Sequence, residues 1–223
     1  MDVNKTTLLE HLRRHGIGQT ALDYAFRVLR RFVDFQILRV ETVESGSPLP
    51  SAAGGPYVTS EVTTGEYHTG TAGLEGEHVR RQAFARGDRC FANVLDGQIV
   101  GYTFYGSQPT PVRPGLTFHF PEGMLYMYAS YTHPAHRGMR LALARSNARR
   151  LVDASRGPPA RVIWYVAVDN SASRASAQPA GPSLLGYVGY VGLGNRLACF
   201  ASPGCRRECI ELVADRTDWS PGP

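Results

Sequence analysis

Lysine is nearly missing from this chain: Lys5 is the only one among 24 basic residues. Tryptophan occurs twice and cysteine four times. No stretch reaches the roughly 18 apolar residues that a membrane span needs. The opening MDVNKTTLLEHLRRHG has no apolar secretory core. Basic blocks are missing too, the densest clusters being the pairs Arg13-Arg14, Arg30-Arg31, Arg149-Arg150 and Arg206-Arg207. These absences argue against stable membrane insertion, secretion and nucleic-acid binding, and for a cytoplasmic protein with reduced cysteines. Cys205 and Cys209 are the only closely spaced cysteines, and the nearest histidine is His136, so no metal site is expected.

What remains is an ordinary globular mixture: 223 residues, 43% hydrophobic and 19% charged. It excludes collagen-like, coiled-coil and wholly disordered chains. The net charge of +5 is moderate. It suits an anionic cofactor or an acidic carrier protein as well as any polyanion.

Apolar periodicity predicts helices over 6–14 and 20–34, then a strand over 35–43. The run SGSPLPSAAGGP (45–56) is a loop, 56–64 holds a short strand, and 74–86 is an amphipathic helix ended by Gly87. Asp96-Gly97 between two apolar runs predicts a tight hairpin over 90–105. Pro109 to Pro114 connects to strands over 116–120 and 124–132. A long helix over 138–154, with Leu143, Ala144, Ala148, Leu151 and Val152 inward, leads to a strand over 161–168. A turn or two of helix at 171–177 and strands over 185–191 and 197–200 complete the order. This order describes an α/β protein with one parallel crossover from strand 124–132 through helix 138–154 to strand 161–168. The expected organisation is a helical extension (1–34), one main domain (35–213) and a flexible tail (214–223).

The most informative segment is LYMYASYTHPAHRGMRLALARSNARRLV, beginning at Leu125. A strand runs into Pro134, then a short turn carrying Arg137-Gly138, then a long helix. Backbone N–H groups at such a helix start converge on one point, where the helix dipole favours an anion. Local pattern leaves two readings open, a phosphate cradle or a plain strand–helix connection with a surface arginine.

The segment resembles the acyl-CoA-binding motif of the GCN5-related N-acetyltransferase (GNAT) superfamily. That motif is a strand, a proline, then Arg/Gln-x-x-Gly-x-Gly/Ala opening a helix. Here it reads Arg137-Gly138-Met139-Arg140-Leu141-Ala142, with Arg140 in place of the middle glycine. Asn170, with Ser173 three places on, resembles the second motif. Ala177 stands where many members carry a tyrosine. The resemblance covers roughly residues 88–200. It implies a GNAT-like fold, a mixed, mostly antiparallel central sheet flanked by helices. It implies acetyl-CoA or another acyl-CoA as co-substrate, no metal, and acyl transfer to a primary amine by direct attack. Residues 137–142 would hold the pyrophosphate, and Tyr131 and Thr132 would line the pantetheine arm, with Asn170 and Ser173 nearby. The acceptor is a small-molecule amine or a protein amine, and the protein a monomer or homodimer. The alternatives are an acyl-carrier-protein donor, or a non-catalytic acyl-CoA-binding or interaction protein.

Acyl transfer needs a base for the amine and an acid for the thiolate. Period two places Tyr126, Tyr128 and Ser130 on one strand face as a row of hydroxyls, opposite Met127, Ala129 and Tyr131. Glu122, just before that strand, is the expected carboxylate, with Glu61, Glu66, His119 and His133 as alternatives. Tyr128, and Tyr187 and Tyr190 near the displaced tyrosine position, are the hydroxyl candidates. No nucleophile elbow is present, so serine-hydrolase chemistry is not expected.

Overall fold

The computed structural model describes residues 55–70, 77–157, 161–193 and 196–214 without a break, and 17–18, 21, 25–26, 28–30, 32–45, 47 and 49–50 besides. The predicted helix over 6–14 and the tail beyond 214 lie outside the described residues, as does much of the predicted helix over 20–34.

The sheet grows from the predicted hairpin. β3 (Arg89–Leu95) and β4 (Gln98–Gly106) pair antiparallel across Asp96 and Gly97, whose φ angles of 49° and 77° give the left-handed pair that a tight hairpin turn requires. β4 is buried from Ile99 to Gly106 without alternation, because both of its faces are covered. On one face Tyr67 of α1 (Thr64–Gly70) and Ala83 and Phe84 of α2 (Glu77–Ala85) pack on Tyr102 and Phe104. On the other face lies α3 (Leu141–Arg156), which contacts β2 (Val58–Val62), β3 and β4. β7 (Met124–Thr132) and β8 (Arg161–Ala167) flank α3 in sequence. Among the described residues they make the one parallel pairing, as expected of the crossover.

β1 (Asp34–Glu44), β9 (Ser183–Leu193) and β10 (Arg196–Ala201) complete an eight-stranded sheet of order β10-β9-β1-β8-β7-β4-β3-β2. Every neighbouring pair other than β7–β8 is antiparallel. This is the expected fold class, a mixed, mostly antiparallel α/β sheet flanked by helices.

Three features depart from expectation. A second sheet, β11 (Glu211–Ala214), β6 (Leu116–His119) and β5 (Thr110–Arg113), lies on the α1/α2 side. Its Leu116, Phe118 and Leu212 join Leu38, Val40, Tyr126, Ile163, Val188 and Tyr190 in the largest core. The prolines at 111 and 114 read as a connection, yet β5 is a three-stranded sheet's edge, where a missing N–H is tolerated. Second, α1 occupies a segment between the expected strand over 56–64 and helix over 74–86, where the sequence pattern gives no element. Thr63 and Glu66 form a capping box: the Thr63 amide donates to Glu66 Oε2 at 2.7 Å, and the Glu66 amide donates to Thr63 Oγ1 at 3.4 Å. Third, Leu151 is 78% exposed rather than inward. The inward positions one turn apart on α3 are Arg145, Arg149 and Asp153, all buried.

Candidate active site

The two parallel strands meet only briefly. Met124, Leu125 and Tyr126 of β7 pair with Arg161, Val162 and Ile163 of β8. Among the described residues, β7 beyond Tyr126 pairs only with β4, and β8 beyond Ile163 only with β1. The strands therefore part, and a crevice opens at their carboxyl ends, the usual ligand position in an opened parallel pair. Its backbone walls are the free edges of β7 (127–132) and β8 (164–167).

A β-bulge shapes the β7 wall. Tyr128 faces Phe104 and Tyr131 faces Tyr102, so Ala129 and Ser130 together oppose Thr103. Ala129 takes φ 46°, a left-handed conformation unusual for alanine. The extra residue inverts the side-chain alternation. Tyr126, Tyr128 and Tyr131 share the α1/α2 face, whereas Ser130 turns to α3 beside Thr103, at 3.0 Å. The expected hydroxyl row is therefore broken after Tyr128, because period two fails across the inserted residue.

After β7 the chain makes a short turn. The His133 amide donates to Val100 O at 2.8 Å, Pro134–His136 form a single 3-10 turn, and Arg137 Nε donates to Thr132 O at 3.3 Å. Gly138 and Arg140 then take φ of 82° and 52° before α3 begins at Leu141 rather than Gly138. Arg140 caps α3 in the left-handed region that favours glycine and makes no side-chain capping bond. Among the described residues, the amides of Gly138, Met139, Arg140, Leu141 and Ala142 have no hydrogen-bond acceptor. Five consecutive N–H groups at the positive end of a 16-residue helix suit an anion. Tyr57 packs on this turn, its hydroxyl 3.1 Å from His136 Nδ1 and 2.7 Å from Met139 Sδ.

Across the crevice, β8 leads to α4 (Ser171–Ala177), capped by Asn170, whose Oδ1 accepts from the Ser173 amide at 3.0 Å. Tyr131, Thr132, residues 137–142, Asn170 and Ser173 are thus all carried at the carboxyl ends of the two parting strands.

The four candidates for proton transfer are dispersed. Glu122 is exposed in the turn before β7, at the closed end of the parallel pair, and from the start of β7 at Met124 the strand runs about 13 Å to Tyr128. Tyr187 and Tyr190 lie on β9, separated from β8 by β1, hence about 10 Å from the crevice wall. Tyr187 is exposed, and the Tyr190 phenol accepts from Arg113 Nη1 at 3.0 Å. Tyr128 alone of the four sits on β7 past the parting point, packed between the two cores of the α1/α2 face. Of the alternative carboxylates, Glu61 is paired with Arg89 at 2.8 Å, and Glu66 caps α1, where the Thr63 amide lowers its carboxyl's pKa.

The sequence reading missed the partners of Tyr128. Its phenol donates to Asp88 Oδ2, and Arg86 Nη2 donates to the phenol oxygen. Burial, then the bond to Asp88, raises the pKa of Tyr128 well above the ordinary phenol value. Gly87 is legible as the end of α2, but nothing in the sequence signals that Asp88 beside it is buried. Among the described residues no group of three or more His, Cys, Asp and Glu side chains is placed to hold a metal ion, and no helix is long and apolar enough to cross a membrane.

No family model matches the chain, and no curated protein matches it. Solved structures do. A Drosophila protein is 13% identical, with a TM-score of 0.50 over 77% of this chain and 58% of its own. A GNAT-family acetyltransferase from Novosphingobium aromaticivorans is 13% identical, with a TM-score of 0.44 over 82% of this chain and 66% of its own. A GCN5-related N-acetyltransferase from Kribbella flavida is 14% identical, with a TM-score of 0.46 over 89% of this chain and 64% of its own. This chain spans less than two thirds of the length of each. At such identities the likeness concerns the fold. The architecture itself is GNAT-like: a mixed, mostly antiparallel sheet flanked by helices and opened between two parallel strands.

Proposed function

We propose that this protein is an acyl-CoA-dependent N-acyltransferase, most simply an acetyltransferase, acting on a primary amine. The observation that carries the reading is the run of five acceptor-free amides, 138–142, opening on the crevice between β7 and β8. These amides and Arg137 hold the diphosphate of the donor. The free edge of β7 at Tyr131 and Thr132 lies along the pantetheine arm, and Asn170 and Ser173 border it from the β8 side. The bound thioester supplies the electrophilic carbonyl.

The protein's own part on the acceptor side falls to Tyr128. A phenol has one donor and two acceptor lone pairs. Its proton is committed to Asp88 and one lone pair to Arg86, so one lone pair remains to accept from the amine. As the amine attacks and the thioester C–S bond breaks, CoA leaves as its thiolate. The amine proton passes to the Tyr128 oxygen while the phenolic proton passes to Asp88, which then gives it up to solvent, from which the thiolate is protonated. The raised pKa of Tyr128 suits this relay, because the phenol never parts with its proton except in exchange for another. In this reading Glu122, Tyr187 and Tyr190 have no part in the proton path.

The test is a thermal-shift and calorimetric series with CoA, acetyl-CoA and longer acyl-CoAs, followed by turnover on an amine panel. Stabilisation by CoA and release of free thiol in the presence of an amine are expected. A chain that ignores every CoA species, or binds CoA yet acylates no amine, overturns the enzymatic reading.

A further inference from the structure

The inward stripe of α3 carries two buried arginines with opposite surroundings. Arg149 donates to Asp153, whose other oxygen accepts from Arg89 at 2.6 Å. Arg145 is fully buried and, among the described residues, has no carboxylate partner. Its Nε donates to Thr103 Oγ1 at 2.8 Å, its Nη1 to Asn93 Oδ1, and its Nη2 to Ser130 Oγ at 3.2 Å and Thr132 Oγ1 at 3.4 Å. Three strands supply these neutral oxygens. Gly101 supplies the space, since a Cβ there would lie 2.5 Å from Nη1.

Packing alone does not call for this arrangement, because an apolar side chain fills such a site at less desolvation cost. Burial pulls the pKa of Arg145 down to about 10, which still leaves it charged at neutral pH. The position of the charge is informative. Ser130 and Thr132 belong to the bulged free edge of β7, and the carbonyl of Thr132 accepts from Arg137. The first residue of α3 lies one turn above, about 6 Å along the axis.

We infer that Arg145 is a positioning residue: it clamps the bulged edge of β7, residues 129–132, to α3, and its uncompensated charge favours a phosphoanion at the 137–142 turn. The second half rests on the acyl-CoA reading; the clamp does not. The titratable groups around the guanidinium are Tyr105 and Tyr102 on β4, Cys90 on β3, and Arg149 on α3 itself. Burial pushes the Cys90 thiol up to about 12 and raises Tyr105, so neither offers Arg145 a counter-charge near neutrality.

The experiment compares R145M and R145K with the wild type in CoA affinity between about pH 6.5 and about pH 9, and in amide exchange at residues 129–132. R145M should bind CoA about tenfold more weakly at every pH, with faster exchange confined to that edge. In R145K a buried ammonium titrates in this range, so its affinity should approach the wild type at low pH and fall about tenfold as the pH rises. A folded R145M that binds CoA within about twofold of the wild type overturns the charge role. Unchanged exchange at 129–132 overturns the clamp. A wild type that binds no CoA removes the functional reading instead, and exchange alone then decides the clamp. Should R145M fail to fold, R145K carries the same comparison, and a pH-independent affinity in it overturns the inference.

Discussion

Tyr128 of β7 and Asp88, the residue just before β3, are joined by a 2.6 Å hydrogen bond that spans the width of β4, which lies between the two strands. Arg86 closes the triangle, 2.6 Å from the same carboxylate oxygen and 2.8 Å from the phenol. Gly106 of β4 permits the crossing: a Cβ there would lie 2.8 Å from Asp88 Oδ1.

Replacing Tyr128 by Phe should cost about 1 kcal/mol of stability, because Asp88 keeps Arg86 as a partner. Turnover should fall roughly 100-fold while CoA affinity holds. Asp88→Asn keeps a hydrogen-bond acceptor but cannot take up the proton, and should lose turnover to a similar extent. Steady-state kinetics beside CoA titration separates the two effects. Full activity in Tyr128→Phe would remove the relay.

Gly101→Ala places a methyl group on the Arg145 guanidinium. It should destabilise the fold by about 2 kcal/mol, the range of overpacking in a filled interior. Chemical denaturation measures this. A neutral result would mean that Arg145 yields easily, which weakens the clamp argument too.

Arg140 occupies a left-handed cap at a cost of roughly 1 kcal/mol relative to glycine. Arg140→Gly should therefore raise stability by about 0.5–1 kcal/mol. If the side chain also reaches the donor's phosphates, CoA affinity falls while the melting temperature climbs. Lower stability in the glycine variant would show that the arginine makes a stabilising contact at the cap.

Tyr105, Tyr126, Tyr128 and Tyr165 all have pKa values raised by burial. A phenol raised in the folded state favours folding fully below its unfolded value of about 10, and that contribution drains away as the pH rises past it. Melting temperatures should hold up to about pH 9 and drop steeply above about pH 10. Tyrosinate absorbance followed on the same samples should show these four rings ionising only as the chain unfolds. Free titration of all tyrosines in the folded protein would contradict their burial.

Much of the frame was legible. Asp96-Gly97 dictated the hairpin, and the strand, proline and glycine before α3 dictated where backbone donors would gather. The bulge was not, because nothing about Ala129 marks a left-handed residue; only pairing with β4 reveals that two residues oppose Thr103. That one insertion overturns the hydroxyl row, since period two carries no memory of a slipped register. The inward arginines were hidden by a different cause. Leu143 and Leu151 advertise an apolar stripe, whereas the sheet offers α3 the polar oxygens of Asn93, Thr103, Ser130 and Thr132, contributed by strands distant in sequence. The Thr63–Glu66 capping box, by contrast, is legible as a threonine followed three residues on by a glutamate.

The place of β1 has a consequence for synthesis. Both of its neighbours, β8 and β9, come late, with Thr42 bonding to Val162 some 120 residues onward. At translation speeds of roughly 5–20 residues per second, β1 leaves the ribosome roughly 6–25 seconds before its first partner strand exists. Phe35, Ile37, Leu38, Val40 and Val43 spend that interval on a strand open along both sides. Such a nascent chain is a natural client for chaperones that shield extended apolar segments, and the opening strand finds shelter only when the closing third of the protein arrives.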